Sequence, residues 1–381
     1  MTNKCQRSRF TWATLLCASA LAGSAARADA PPFYPDKQNL LRYIDEQGRE
    51  HPVKTAADWR IRRSHIVENF QLVMGEVPGD EKRVPLDVKV LEEIETPLYI
   101  QKKITYLSEP GDPVPAYLLI PRRLEGPAPA MLCLHQSVES DKGEPVGLSG
   151  KPNLHYAREL TERGYVTLTP DFPRYGEYPI DVFEMGYASV TQKGVWNHMR
   201  GIDLLQALPE VDPDRIGCIG HSLGGYNTIF VAAVDERIKV VVSSCGFCSF
   251  FKYRGGRIEP WGSPTHHMPR VSSVDDKDPA RLPFDFTELL AAIAPRPVFV
   301  NAPVMDGAFP LAGVHDCLNA AGPVYELLGA KQALVAQHPN VGHSFPPQQR
   351  KAAYELVDKA LGHRPSRGEP ATTRPAAAEA K

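Results

Sequence analysis

No charge of one sign dominates this chain. Its 381 residues carry 43 Lys and Arg against 45 Asp and Glu, a net charge of −2. No basic tract runs through the body of the chain, so the electrostatic footprint of a nucleic-acid binder is missing. No internal repeat of solenoid or propeller length recurs. Cysteine is scarce, with 7 residues, and no second pair joins Cys245 and Cys248 to make a zinc site, so no metal is expected. The rest, 43% hydrophobic and 23% charged, is the mixture of an ordinary globular protein.

The first 28 residues read as a signal peptide. Lys4, Arg7 and Arg9 form a positive start, small and apolar residues follow from Thr11 to about Ala22, and Ala26-Arg27-Ala28 offers a cut before Asp29. The apolar run is too short to span a bilayer. Leu16 before Cys17 is too bulky for a lipid-attachment site. The expected location is the periplasm or the outside of the cell. Removal of residues 1–28 takes away four positive charges and no negative one, moving the balance from −2 to −6. No attraction to an anionic membrane surface is then expected. Five cysteines remain. Cys133 and Cys218 lie in apolar strand-like runs and read as buried thiols. Cys245 and Cys248 have redox spacing but also suit two small packing residues near a strand end.

Residues 29–127 form an N-terminal lead. Thr55 to Gly75 reads as a helix, with an acidic capping arrangement at Thr55-Ala56-Ala57-Asp58 and Trp59, Ile66, Phe70 and Val73 on one face. Stretches 86–93, 99–107 and 114–120 read as strands. From residue 128 to 362 strands and helices alternate, with strands at Ala130–Leu134, Tyr165–Leu168, Arg215–Gly220, Lys239–Ser244, Pro297–Asn301 and Gln332–Ala336. That pattern predicts an α/β fold: a mostly parallel sheet with helices on both faces, preceded by antiparallel strands. Residues 247–284 break the rhythm and look like an insertion over the carboxyl edge of the sheet. Residues 363–381, rich in Pro, Ala, Thr and Arg, read as a disordered tail.

The chemistry centres on Gly220-His221-Ser222-Leu223-Gly224, a Gly-x-Ser-x-Gly motif between a predicted strand and a predicted helix. Small residues on either side of the serine let strand and helix approach closely, and the sharp turn lifts the hydroxyl above the sheet edge. The amide of Leu223 then lies beside a developing oxyanion. A serine hydroxyl needs a base, and such folds run in the order Ser, acid, His. His343, in the loop Asn340-Val341-Gly342-His343-Ser344-Phe345, is the favoured base over His315 and His338. Asp306, 37 residues before it and following the strand that ends at Asn301, is the favoured acid. Asp316 is its rival, 27 residues before His343 and placed on a helix. The loop His135-Gln136-Ser137 should supply the second oxyanion donor, the amide of Gln136. Trp261 in the insertion reads either as a substrate-binding surface that stacks on a sugar ring or as a residue packed on the core. Arg174 and Glu177 are candidates for substrate contact or solvated loop charges.

The stretch Ala128–Leu361 resembles a bacterial group of α/β-hydrolases related to dienelactone hydrolases and acetyl xylan esterases. Leu134-His135-Gln136-Ser137 with Lys142-Gly143-Glu144-Pro145, Gly220-His221-Ser222-Leu223-Gly224-Gly225, and Pro295-Arg296-Pro297 leading to Asp306 carry the resemblance. Ser243-Ser244-Cys245-Gly246-Phe247 is also familiar in the group. The resemblance implies the α/β-hydrolase fold and a Ser–His–Asp esterase mechanism on Ser222, His343 and Asp306. In one departure, Ser344 stands where the group often has an acid. The expected function is an exported serine hydrolase acting on small or carbohydrate-linked acyl esters, with no cofactor. A prolyl oligopeptidase-like peptidase and a non-catalytic binding protein on the same fold are the alternatives. No propeller-like repeat precedes the catalytic part, which weighs against the peptidase.

Overall fold

The computed structural model describes residues 30–365, apart from 138–140, 266 and 275–277. The expected signal peptide, residue 29 and residues 366–381 of the expected tail lie outside the described residues. Chain segment 32–365 belongs to one compact unit. No helix among the described residues is long and apolar enough to cross a membrane.

The N-terminal lead holds more structure than its composition suggests. A short hairpin, β1 (Arg42–Ile44) with β2 (Glu50–Pro52), precedes α1 (Ala56–Met74). Thr55 caps α1 in a reciprocal box with Asp58, which satisfies two free ends of the first turn. The predicted face is buried: Trp59, Ile66, Phe70 and Val73 are all at most 4% exposed. Phe70 packs against Phe230 and Phe284.

A nine-stranded sheet forms the centre, in the order β11-β10-β9-β8-β6-β7-β5-β4-β3. β3 (Lys89–Glu95), β4 (Tyr99–Glu109) and β5 (Asp112–Pro121) enter antiparallel, with β5 antiparallel to β7. β6 (Ala128–Leu134), β7 (Val166–Pro170), β8 (Val211–His221), β9 (Ile238–Ser244), β10 (Val298–Asn301) and β11 (Leu334–Gln337) run parallel. Their near-continuous apolar runs follow from burial on both faces. Edge strand β3 is exposed along its length, and Lys89, Glu92, Glu93 and Glu95 on it discourage pairing with another chain.

α2 (Tyr156–Glu162), α3 (Val190–Ala207), α4 (Leu223–Val234), α5 (Phe286–Ala292), α6 (Leu311–Leu327) and α7 (Pro347–Ala360) complete the layers. Two buried apolar clusters occupy the molecule. The larger holds α1, α3, α4 and α5, and the smaller holds α2 and α7. All parallel strands end at one edge, which is where an open α/β sheet places its ligand. The insertion leaves that edge after β9 as a series of short 3-10 turns at 253–255, 259–262, 269–273 and 279–281. It returns through α5, an element the strand–helix rhythm does not reveal.

Candidate active site

Ser222 alone forms the junction between β8 and α4. Its backbone has φ 54 and ψ −116, a conformation that costs a residue with a Cβ on the order of 1–3 kcal/mol. Its N–H donates to the carbonyl of Ser244 at 2.9 Å, tying the turn to the end of β9. The surrounding glycines explain how the turn closes. A Cβ on Gly220 would lie 2.4 Å from the Gly224 backbone, and one on Gly224 would lie 1.9 Å from the Leu134 carbonyl oxygen. One on Gly225 would meet the Ser244 carbonyl oxygen at 2.7 Å. The start of α4 is thus pressed against the ends of both β6 and β9. Ser222 gives α4 no side-chain cap, and the amide of Leu223, in the first helical turn, has no partner within the helix.

Asp306 lies in the loop between β10 and α6. Its carboxylate accepts the N–H of Ala308 at 2.8 Å and of Phe309 at 3.3 Å. His343 lies between β11 and α7, and its Nδ1 is 3.0 Å from both oxygens of Asp306. Nδ1–H is therefore the donor, which leaves Nε2 as the basic nitrogen. The Asp306 side chain is 1% exposed and that of His343 is 30% exposed. Burial works to raise the Asp306 pKa, but the hydrogen bond and charge of His343 and the two amides outweigh it. The carboxyl sits below its ordinary value.

The rings of His221 and His343 are 4.8 Å apart. His221 is itself pushed down to about 3 by burial, and then by His343, so it remains neutral beside its neighbour. Asp316, the rival acid, sits within α6, and His338 faces the Ala302 carbonyl at 3.0 Å. Asn301 binds the surrounding loops together: its Nδ2 donates to Ser244 Oγ at 2.8 Å and to the Ser344 carbonyl at 2.9 Å. Ser344, in place of an acid, meets Asn153 Nδ2 through its hydroxyl.

At the end of β6, His135 Nε2 accepts the N–H of Phe172 at 2.9 Å. Its Nδ1–H therefore donates to the Gln136 carbonyl at 2.7 Å. The Gln136 side chain donates to Glu144 at 2.7 Å. Lys142 pairs with Asp171 at 2.6 Å. The Lys142-Gly143-Glu144 segment thus braces the backbone around Gln136 and the loop after β7.

Sequence reasoning does not single out Cys245 for this site. It is buried, with φ 49, directly after β9. Its thiol lies against Asp306 and is pushed upward by burial and by that carboxylate, so it stays protonated. Cys245 and Cys248 are free thiols. Donor atoms of Cys245, Asp306 and His343 lie within 4.8 Å of one another. Hydrogen bonding already engages each of them: Cys245 Sγ with the Ser344 carbonyl, and Asp306 with His343.

A cavity of 900 Å³ lies beside this edge, walled by Ser137, Arg174 and Tyr175 on one side and by Tyr253, Arg254 and His267 on the other. Ser137 directly follows Gln136. Tyr175 packs edge-on against His135. Tyr253 contacts Phe309, whose ring stacks 6.2 Å from His343. Trp261 requires a correction. It is 2% exposed and enclosed by Tyr226, Phe230, Phe250, Tyr253, His267 and Phe286. Its ring backs Tyr253 and His267 and does not line the cavity, because the insertion folds its own aromatic residues inward to form a core.

The fold is that of an α/β-hydrolase, with a sharp strand-to-helix turn at Ser222 after β8 and an Asp–His pair on the same edge. Residues 153–359 match the model of the prolyl oligopeptidase family, and the chain belongs to that family. Among curated proteins it is 27% identical to a putative hydrolase, YtaP, of Bacillus subtilis over 76% of this chain and 96% of that one. It is 28% identical to a 4-O-methyl-glucuronoyl methylesterase of Hypocrea jecorina over 44% of this chain and 39% of that one. Among solved structures, a glucuronoyl esterase from Solibacter usitatus superimposes with a TM-score of 0.68 and 19% identity. The match covers 87% of this chain and 98% of that one. A putative acetyl xylan esterase from Bacteroides fragilis superimposes with a TM-score of 0.58 and 19% identity, covering 80% and 87%. The chain is a hydrolase of this fold.

Proposed function

We propose that the protein is an exported serine esterase that cleaves small or carbohydrate-linked acyl esters through Ser222, His343 and Asp306. The observation that carries this reading is the Asp306–His343 pair, at 3.0 Å, held at the sheet edge where the Ser222 turn projects. His343 Nε2 takes the proton of Ser222 as its oxygen attacks the ester carbonyl. The amides of Leu223 and Gln136 receive the oxyanion. His343 then protonates the leaving alcohol, and water, activated by the same nitrogen, releases the acid. Asp306 holds the imidazole in the Nδ1–H form and stabilises its positive charge.

Relatives named as carbohydrate esterases support an ester substrate over an amide. The signal-like first 28 residues support export. Membership of the prolyl oligopeptidase family keeps a peptidase as the second reading. Residues 32–152, ahead of the matched segment, build the hairpin, α1 and strands of the central sheet; no propeller blade occurs among those described. The test is a panel of 4-nitrophenyl esters of rising chain length and acetylated polysaccharides, set against proline-containing peptide amides. The expected result is ester turnover with amide turnover at least about a hundredfold slower, a gap of roughly 2.7 kcal/mol in barrier. Faster cleavage of the amides would make the protein a peptidase.

A further inference from the structure

Among the described residues, six that are not glycine hold a positive φ: Asp87, Asp141, Arg174, Ser222, Cys245 and Arg254. Ser222 is the turn itself and Cys245 lies against Asp306. Asp141, Arg174 and Arg254 all line the 900 Å³ cavity. Left-handed backbone in residues with a Cβ persists only where the surroundings enforce it, and it concentrates where function needs a side chain aimed. Here it recurs at both arginines of the cavity.

The two arginines come from opposite walls. Arg174, with φ 72, is in the loop after β7, and its N–H donates to the Tyr178 carbonyl at 2.9 Å. That loop rests on the buried Lys142–Asp171 pair. Gly176 has no room for a Cβ, which would lie 2.6 Å from Asp171 and 2.7 Å from Asp141. Arg254, with φ 46, is in the insertion after β9 and lies beside the ring of Tyr253. Gly255 and Gly256, with φ 71 and 88, carry the chain away behind it. Neither guanidinium has an ion-pair partner among the described residues. Nearby, Lys103 and Lys142 share Glu177. The acid that lines the same cavity, Asp141, is raised to about 6 by burial and by the charge of Asp171. Two guanidiniums against that one carboxyl leave the cavity lining positive within a protein of net negative charge.

We propose that the substrate carries, apart from the ester that reacts, a free carboxylate bound by Arg174 and Arg254 across this cavity, as on a uronate residue. A guanidinium presents a planar fork that matches a carboxylate with two parallel hydrogen bonds. The cavity volume falls in the range that holds a small sugar. The inference rests on the ester-hydrolase reading above.

The test measures inhibition of 4-nitrophenyl acetate turnover by galacturonate, its uncharged methyl ester, and galactose. Galacturonate should inhibit at a concentration at least about tenfold lower than either neutral sugar, with the gap shrinking as salt rises. In Arg174→Gln and in Arg254→Gln the three compounds should inhibit alike. Equal inhibition by all three in the native protein, or a gap that survives in both variants, overturns the inference. Inhibition by galactose 6-sulfate as strong as by galacturonate overturns the assignment to carboxylate. If 4-nitrophenyl acetate is not turned over, the esterase reading fails instead. Calorimetric binding of galacturonate and galactose to the native protein and both variants then decides the carboxylate site by the same criteria.

Discussion

Asp306 and Asp316 carry the same chemistry on different backbones. Asp306 leaves β10 in a loop whose amides hold one carboxylate oxygen, and both oxygens face His343 Nδ1. Asp316 is fixed within α6. Asp306→Asn presents an amide that can favour the wrong imidazole tautomer, so turnover should fall by about 10⁴. Asp316→Asn should retain activity within a few-fold. Steady-state kinetics on the two folded variants checks this, and a larger loss at Asp316 reassigns the acid. The pH dependence has a defined sign. Because the folded Asp306 pKa is below its ordinary value of 3.8, its pair stabilises the protein above that value. The stability is lost as pH falls through the lower folded value. Ser222, Asp306 and His343 could be singled out from the sequence because each sits in a loop flanked by a strand or helix with a clear period, and the structure brings Asp306 and His343 together. Arg174 was already a candidate for substrate contact, but Cys245 and the meeting of Arg174 with Arg254 across one cavity were not legible, since they depend on contacts across the fold: Cys245 meets an aspartate 61 positions away, and Arg254 lies in a stretch with no period.

The elements of the parallel core follow their apolar patterning closely, and α1 follows its capping box. α5 escaped because it has only seven residues and follows an irregular stretch. Its signal was the box formed by Asp285 and Glu288, which both caps it and marks its start. The inserted segment was legible as an interruption, but its aromatic residues gave no sign of facing inward. Burial, not sugar stacking, accounts for Trp261, and its substitution belongs with core mutations. Trp261→Ala should lower stability by about 3–5 kcal/mol. Ester preference should change only as far as Tyr253 and His267 lose their backing. Denaturant unfolding of the variant measures the first. An unaltered midpoint together with a changed ester preference would return Trp261 to the cavity wall.

Across the whole molecule, the N-terminal lead and the catalytic part share one sheet and one core. β5 pairs with β7, and α1 packs on α5. A buried ion pair crosses that contact: Arg62 meets Glu288 at 2.5 Å, with side chains 0% and 1% exposed. Lys37, also buried, lies 3.7 Å from the same carboxylate. Glu288→Ala leaves two buried cations without their counterion and removes half of the α5 capping box. A loss of roughly 3–5 kcal/mol is expected, measured as a fall in the unfolding midpoint with Ser222 still reactive in the fraction that folds. A small loss would mean that the lead contributes little to holding the catalytic part.

The central claim is that Ser222 is the nucleophile of a hydrolase, and covalent labelling tests it directly. A fluorophosphonate probe, followed by peptide mass analysis, should modify Ser222 in the native protein. A folded Ser222→Ala variant should take up no label and lose ester hydrolysis by more than about a thousandfold. Labelling at another serine, or near-normal hydrolysis by the folded variant, would contradict the account.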